Sequence, residues 1–213
     1  MKEAKPQYIH GKVVVLDTRQ EFDFTAIYGL HTVEARKSLW RDLTSWNQYQ
    51  RKPWICMGDY NAITAVEDRI NGSTVQENEI RDFKEFLIDT RMCEMRTVGR
   101  DYTWTNSHVF SRIDRPIINA EWINTMPHVD AVIMDPLFSD HSPLCVKIGD
   151  EQKTPKPFRF FNCLAEHKDF LDVVGEAWNK APKTGKMAEV WRKLKEVRHA
   201  LKRLNTKEFK QWI

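Results

Sequence analysis

Short runs rich in β-branched and aromatic residues alternate along this chain with stripes at helical spacing, and then the alternation stops. Lys12–Leu16 and Phe22–Tyr28 read as strands. Thr32 is a candidate N-cap with Glu34 in the first turn. Val33, Trp40, Leu43 and Trp46 continue at helical spacing until Lys52-Pro53. Trp54-Ile55-Cys56-Met57 is a continuous apolar run ending at Gly58, the pattern of a strand buried on both faces. Ile80, Phe83, Phe86 and Leu87 share the apolar face of a second helix. Tyr102–Asn106, Arg112–Ile118, Val129–Met134 and Pro143–Ile148 read as further strands. Strands interleaved with helices in this way predict an α/β (α+β) sheet protein.

Past Ile148 the pattern is helical only. The stretch 149–157 is polar and holds two prolines, so it reads as a linker between a domain at 1–148 and a helical segment at 158–213. Charge divides at the same place. From Gly149 onward there are 15 Lys and Arg against 9 Asp and Glu, a net +6, whereas the part before it carries −3. One tail helix is expected from about His167 to Trp178. The other carries the stripe Met187, Val190, Trp191, Leu194, Val197, Leu201 and Leu204. Its opposite face bears Arg192, Lys195, Arg198 and Lys202, read either as a solvated surface or as a contact for nucleic-acid phosphates.

Composition excludes several classes. With 8 Trp, 11 Phe and 5 Tyr in 213 residues the chain has ample core-forming surface, so it is not disordered. No apolar run approaches the ~20 residues needed to span a bilayer. No apolar stretch follows the lysines of Met1–Lys5 as a secretory leader would require. Cys56, Cys93, Cys145 and Cys163 are widely spaced and form no C-x-x-C pair, which fits reduced thiols rather than a disulfide framework or a zinc site. These features predict an intracellular protein of nucleus or cytoplasm, not secreted and not membrane-bound.

Three clusters place ionisable side chains at strand ends. In Gly58-Asp59-Tyr60-Asn61, the carboxylate and amide are two residues apart and point to one side of an extended chain. Asp59 can hold a metal or take a proton from water, and Asn61 can donate to a phosphoryl oxygen; the same tetrapeptide is also a common turn. In Ser111-Arg112-Ile113-Asp114-Arg115, an Asp inside a strand needs a partner. That partner is either a neighbouring Arg or an imidazole that the Asp orients. In Ser139-Asp140-His141-Ser142-Pro143-Leu144, His141 can serve as general base or donor, held in one tautomer by Asp114, with Asp140 facing a metal. The other histidines, His10 and His31 among them, read as surface or loop residues. No Gly-rich phosphate cradle, H-E-x-x-H or nucleophile elbow is present.

In order along the chain, Tyr28 in Ala26-Ile27-Tyr28-Gly29, Gly58-Asp59-Tyr60-Asn61, Asp101-Tyr102-Thr103-Trp104-Thr105-Asn106, Ser111–Arg115 and Ser139–Leu144 resemble the endonuclease/exonuclease/phosphatase superfamily. They are most similar to the endonuclease domain of plant non-LTR (long interspersed element) retrotransposon polyproteins. Arg36 with Leu39-Trp40 fits that likeness, and Lys156-Pro157-Phe158-Arg159-Phe160-Phe161-Asn162 resembles the lead into their reverse transcriptase.

The resemblance implies a two-sheet β-sandwich flanked by helices and metal-assisted phosphodiester hydrolysis. It implies Tyr28 at the phosphate and Asp59 and Asn61 positioning water, phosphoryl group and metal. It implies Asp114 orienting His141, Asp140 at a Mg²⁺ (or Mn²⁺) site, and Trp104, Asn106 and Arg112 along the DNA groove. The implied partners are DNA and a reverse transcriptase domain of the parent polyprotein.

The departures are equally specific. The family opens with a strand bearing Asn and a strand bearing the metal-binding Glu. Upstream of Tyr28 this sequence offers Glu3, Asp17, Glu21 and Asp23, none in a matching context. His31 stands where relatives carry Asn, and Pro116 interrupts an expected strand. The expectation is a domain incomplete at its N-terminus, with metal weakly bound and hydrolysis impaired. The alternatives are a non-catalytic nucleic-acid-binding remnant and a phosphatase of small phosphate esters.

Overall fold

The computed structural model describes residues 3–148, 165, 167–180 and 187–210, with no side-chain description beyond residue 204. The chain divides into two compact units, Met1–Thr154 and Pro155–Ile213. The first is mixed α/β. It runs β1 (Glu3–Lys5), β2 (Tyr8–Val14), β3 (Glu21–Tyr28), α1 (Val33–Tyr49), β4 (Trp54–Asp59), β5 (Arg69–Ile70) and α2 (Glu77–Thr90). It continues with β6 (Cys93–Glu94), β7 (Thr97–Gly99), β8 (Trp104–Thr105), β9 (Phe110–Ser111), β10 (Asp114–Ile118), α3 (Ala120–Thr125), β11 (Ala131–Ile133) and β12 (Leu144–Val146).

Six strands form the main sheet in the order β1-β2-β3-β4-β10-β6. β3 and β4 are parallel and are joined through α1, since parallel neighbours need a crossover. The remaining pairs are antiparallel. The strands outside this sheet form two three-stranded sheets, β12-β11-β7 and β5-β9-β8.

α1 starts where Thr32 Oγ1 accepts the Ala35 N–H at 3.3 Å, as the N-cap reading requires. Its buried stripe of Leu39, Trp40 and Leu43 meets Phe83 and Phe86 of α2 and Ile27, Trp54, Cys56 and Ile117 of the sheet. Trp40 stacks on Phe83 at 4.7 Å between centroids, and Phe83 on Tyr60 at 4.9 Å. Each of these buried rings contributes on the order of 2–3 kcal/mol through area removed from water. Tyr60, the residue after Asp59, is fully buried in this cluster, which anchors the end of β4 from below.

β2 begins four residues before the expected strand because Tyr8 and His10 face the core. His10 is not a surface residue: it is fully buried, lies 4.4 Å from the Trp46 ring and bonds Thr25 Oγ1 at 2.8 Å. Pro116 does not interrupt β10. Its carbonyl accepts the Met95 N–H at 2.8 Å, and β6 pairs only Ile117 and Ile118, so the ring nitrogen falls past the end of that ladder. That is the place a proline tolerates. Asn106 lies outside β8 because its side chain caps a turn, accepting the N–H groups of His108 and Val109.

The second unit contains α4 (Phe170–Asn179) and α5 (Met187–Lys210), packed on each other. Ala177, Ala200, Leu201 and Leu204 are buried there. The N-terminal half of the expected stripe (Met187, Val190, Trp191 and Leu194) is exposed, so the periodicity marks a core only in the later turns. Lys195 Nζ sits 3.5 Å from the Trp191 ring centroid, a cation–π contact. The linker 149–157 and the segment 156–162 lie outside the described residues.

Candidate active site

The ends of β3, β4 and β10 carry one side chain each into a single row. Tyr28 is in register with Asp59, and Asp59 with Asp114. Residues directly opposite in antiparallel strands hold their Cβ atoms about 4.5–5.5 Å apart. A tyrosine and two carboxylates therefore line up across three strands at one edge of the sheet.

The backbone makes this row possible at two glycines. Gly58 has φ +142°, and a Cβ there would stand 2.2 Å from the Ile27 carbonyl oxygen. A Cβ on Gly29 would stand 2.3 Å from the Tyr60 carbonyl oxygen. Both let β3 and β4 approach closely where the side chains emerge. Asn61 adopts φ +48° just beyond, a left-handed conformation that Asn tolerates better than most residues.

Asp59 is 8% exposed. Its Oδ1 accepts the Asn61 backbone N–H at 2.7 Å, and its Oδ2 accepts from Asn61 Nδ2 at 3.0 Å. Burial pushes its carboxyl up to about 6. The Asn61 hydrogen bond opposes this, and the nearby charge of Asp114 adds to it. Asn61 Nδ2 also donates to the Gly29 carbonyl at 2.8 Å. Both amide N–H groups are thus engaged inside the protein, and Asn61 holds Asp59 in place.

His141 Nδ1 lies 2.9 Å from Asp114 Oδ2. The partner of Asp114 is therefore the imidazole and not an arginine. Asp114 is buried, His141 is 33% exposed, and its Nε2 is the ring nitrogen left for chemistry. Burial alone would pull the imidazole pKa down; the Asp114 hydrogen bond and the charges of Asp114, Asp59 and Asp140 outweigh it, and the net shift is upward. The Asp114 carboxyl is raised, chiefly by burial. An imidazole held by a buried carboxylate, with a second carboxyl in the next strand, is an arrangement for proton transfer.

The loop carrying His141 is tied to β8. Trp104 and His141 form an antiparallel bridge, Trp104 Nε1 donates to Asp140 Oδ2 at 3.0 Å, and the Thr105 N–H donates to the Asp140 carbonyl at 3.0 Å. The Trp104 Nε1 hydrogen bond holds the Asp140 carboxyl below its ordinary value. Trp104 thus fastens Asp140. Arg112 is spent elsewhere: its guanidinium is paired with Glu94 and donates to Thr97 Oγ1 at 2.7 Å and to the Asp101 carbonyl at 3.0 Å. Asn106 serves its own turn. Neither of these two joins the row.

Sequence reasoning missed three supports. Thr103, fully buried, accepts the backbone N–H groups of Ile113 and Asp114 through Oγ1 at 3.1 and 2.9 Å. Its carbonyl takes the Ser142 N–H at 2.6 Å, so one residue locks both halves of the Asp114–His141 pair. Buried Arg36 clamps the carbonyls of Leu30 and His31 at 2.9 and 2.8 Å, and fixes the loop after Tyr28. His31 is close enough for its charge to bear on Asp59. In the sequence these residues entered only through the family likeness, with no supporting role attached.

Mg²⁺ wants six oxygens and uses one or two carboxylates free to bind it. Among the described residues, no three His, Cys, Asp or Glu side chains are grouped to hold a metal. Asp59 is engaged by Asn61 and Asp140 by Trp104. The described donors do not fit a Mg²⁺ site by themselves.

No family model matches the chain, and no curated protein matches it. Among solved structures it is similar to an endonuclease/exonuclease/phosphatase family protein from Bacteroides thetaiotaomicron, at 18% identity and a TM-score of 0.42. That match covers 64% of this chain and 52% of the other, so the chain spans about half the length of the structure it resembles. At so low a score, the site's chemistry rests on the residues themselves.

Proposed function

We propose that the first unit is an endonuclease-type domain of a non-LTR retrotransposon polyprotein, with a reverse transcriptase as its neighbour in the parent chain. It takes a DNA phosphodiester at the row Tyr28, Asp59, Asp114 and His141. The observation that carries this reading is the 2.9 Å contact between Asp114 and His141, directly beside Asp59 in the strand register. His141 Nε2 donates to a phosphoryl oxygen. Asp59, ionised above about pH 6, accepts a proton from the attacking water as the ester P–O bond breaks, and the departing sugar oxygen takes its proton from solvent. Asn61 holds Asp59, Thr103 and Asp114 hold the imidazole, and the Tyr28 hydroxyl stands at the phosphate. Mg²⁺ or Mn²⁺ binds weakly here, and hydrolysis by this chain alone is slow, because the available oxygens are too few and already engaged. The engagement of Asp140 and Asn61 favours one second reading, a phosphodiester-binding remnant with no turnover.

The test is histidine NMR during titration with a thymidine dinucleotide monophosphate, the His141 signal being assigned by its loss in His141→Ala. The expected result is a saturable shift of that signal. An unmoved His141 signal at millimolar dinucleotide contradicts the reading.

A further inference from the structure

The loop between β11 and β12 is fastened at both ends and leaves its tip in solvent. The Met134 N–H donates to the Pro143 carbonyl at 2.9 Å, and Arg100 pairs with Asp135 at 3.2 Å. On the other side, the His141 N–H donates to Ser139 Oγ at 3.1 Å, and the Thr105 N–H holds the Asp140 carbonyl. Between these anchors Leu137 and Phe138 are 88% and 99% exposed, the two most exposed large apolar side chains among the described residues. Single exposed leucines are ordinary on protein surfaces. A consecutive pair presented on an anchored loop, ending three residues before His141, contributes nothing to the core.

We propose that Phe138, flanked by Leu137, is a stacking platform for an unpaired nucleobase next to the phosphodiester at His141. This rests on the phosphodiester reading above and narrows its substrate to single-stranded nucleic acid. Three residues of extended chain place the Phe138 Cα no more than ~11 Å from that of His141. That distance equals roughly three nucleotides of a stacked strand at ~3.4 Å each. A small phosphate ester ends before it reaches the platform, whereas a polynucleotide supplies a base there. One aromatic returns about 1–3 kcal/mol per stacked base. Opening a duplex step costs a few kcal/mol. The platform therefore favours bases that are already unpaired.

The test is fluorescence anisotropy at one fixed low salt concentration, with three labelled probes of equal length: a single strand, the same backbone lacking every base, and a duplex. The expected result is that the intact protein binds the base-bearing strand roughly 5- to 100-fold tighter than the abasic one, and tighter than the duplex. Phe138→Ala reduces the preference over the abasic strand to near unity with abasic binding unchanged, and Phe138→Trp keeps it. His141→Ala weakens both strands. Equal binding of both strands by the intact protein, with His141→Ala still weakening both, overturns the platform and leaves the phosphodiester reading standing. A base preference that survives Phe138→Ala also overturns the platform. Binding of neither strand overturns both proposals. Circular dichroism of Phe138→Ala, expected unchanged for so exposed a side chain, excludes misfolding as the cause.

Discussion

Replacing Asp59 by Asn should change how stability depends on pH. Folding places this carboxyl in a nearly dry position opposite a second acid, and its pKa rises from 3.8 to about 6. The folded protein therefore holds the proton more tightly than the unfolded chain does. Stability from this group is present at low pH and declines as pH rises from the unfolded value through about 6. At full effect the displacement corresponds to roughly 3 kcal/mol. Water reaches the open rim and screens part of it, leaving about 1–2 kcal/mol. Asp59→Asn removes the titration. It also sets an amide against the amide of Asn61, at a cost that does not vary with pH. The informative quantity is therefore the difference between variant and parent at two pH values. Urea denaturation at about pH 4.5 and about pH 7.5 spans roughly two thirds of this effect and should show the variant gaining ~1 kcal/mol on the parent between them. A difference that stays flat, or runs the other way, refutes the claim that burial outweighs the Asn61 hydrogen bonds at Asp59.

Further outcomes follow from the same geometry. In a histidine NMR titration, His141 should titrate above an ordinary imidazole, and Asp114→Asn should lower its midpoint; an unchanged midpoint would remove Asp114 as the orienting group. Tyr28→Phe should leave the urea midpoint unchanged, the side chain being 59% exposed, but weaken dinucleotide binding in the same NMR titration. Arg115, 2% exposed, pairs with Asp68 and Glu94; changed to Ala it leaves buried Asp68 without its cation, while Glu94 keeps Arg112, and a loss of about 3–5 kcal/mol in urea denaturation is expected. Gly58→Ala should cost several kcal/mol by the same measurement, since the new Cβ falls on the Ile27 carbonyl and the φ of +142° is one that L side chains rarely adopt.

Much of the fold could be read from local pattern, because the signals were local. The N-cap at Thr32, the stripe of α1, the Phe83–Phe86 face of α2 and the buried run of β4 are each set by neighbours in sequence. His10 misled because a histidine in a strand looks polar until the Trp46 and Thr25 that enclose it are brought in from distant segments. Pro116 misled because its position relative to the end of β6 is a matter of register, which no local pattern records. The α5 stripe misled because periodicity gives a face and does not say what covers it.

The site was legible to the extent that its chemistry sits at strand ends. Asp59, Asp114 and His141 come from three separate segments and meet. The hydrogen-bond partners of Asn61, Trp104 and Arg112 were not legible. They depend on which neighbour takes each hydrogen bond, and here Asp59, Gly29, Asp140 and Glu94 take them.

The central proposal is that the described residues carry the proton-transfer groups of a phosphodiesterase site, with Asp59 and Asp140 already engaged by Asn61 and Trp104. It is tested most directly by Mg²⁺-dependent nicking of a labelled single-stranded DNA, comparing the chain with His141→Ala. The account predicts nicking barely above a protein-free control, because losing firm metal ligation forfeits several kcal/mol of charge stabilisation at phosphorus. Rapid Mg²⁺-dependent nicking that His141→Ala abolishes would contradict it, and would mean that Asp59 and Asp140 leave their present partners to bind the ion.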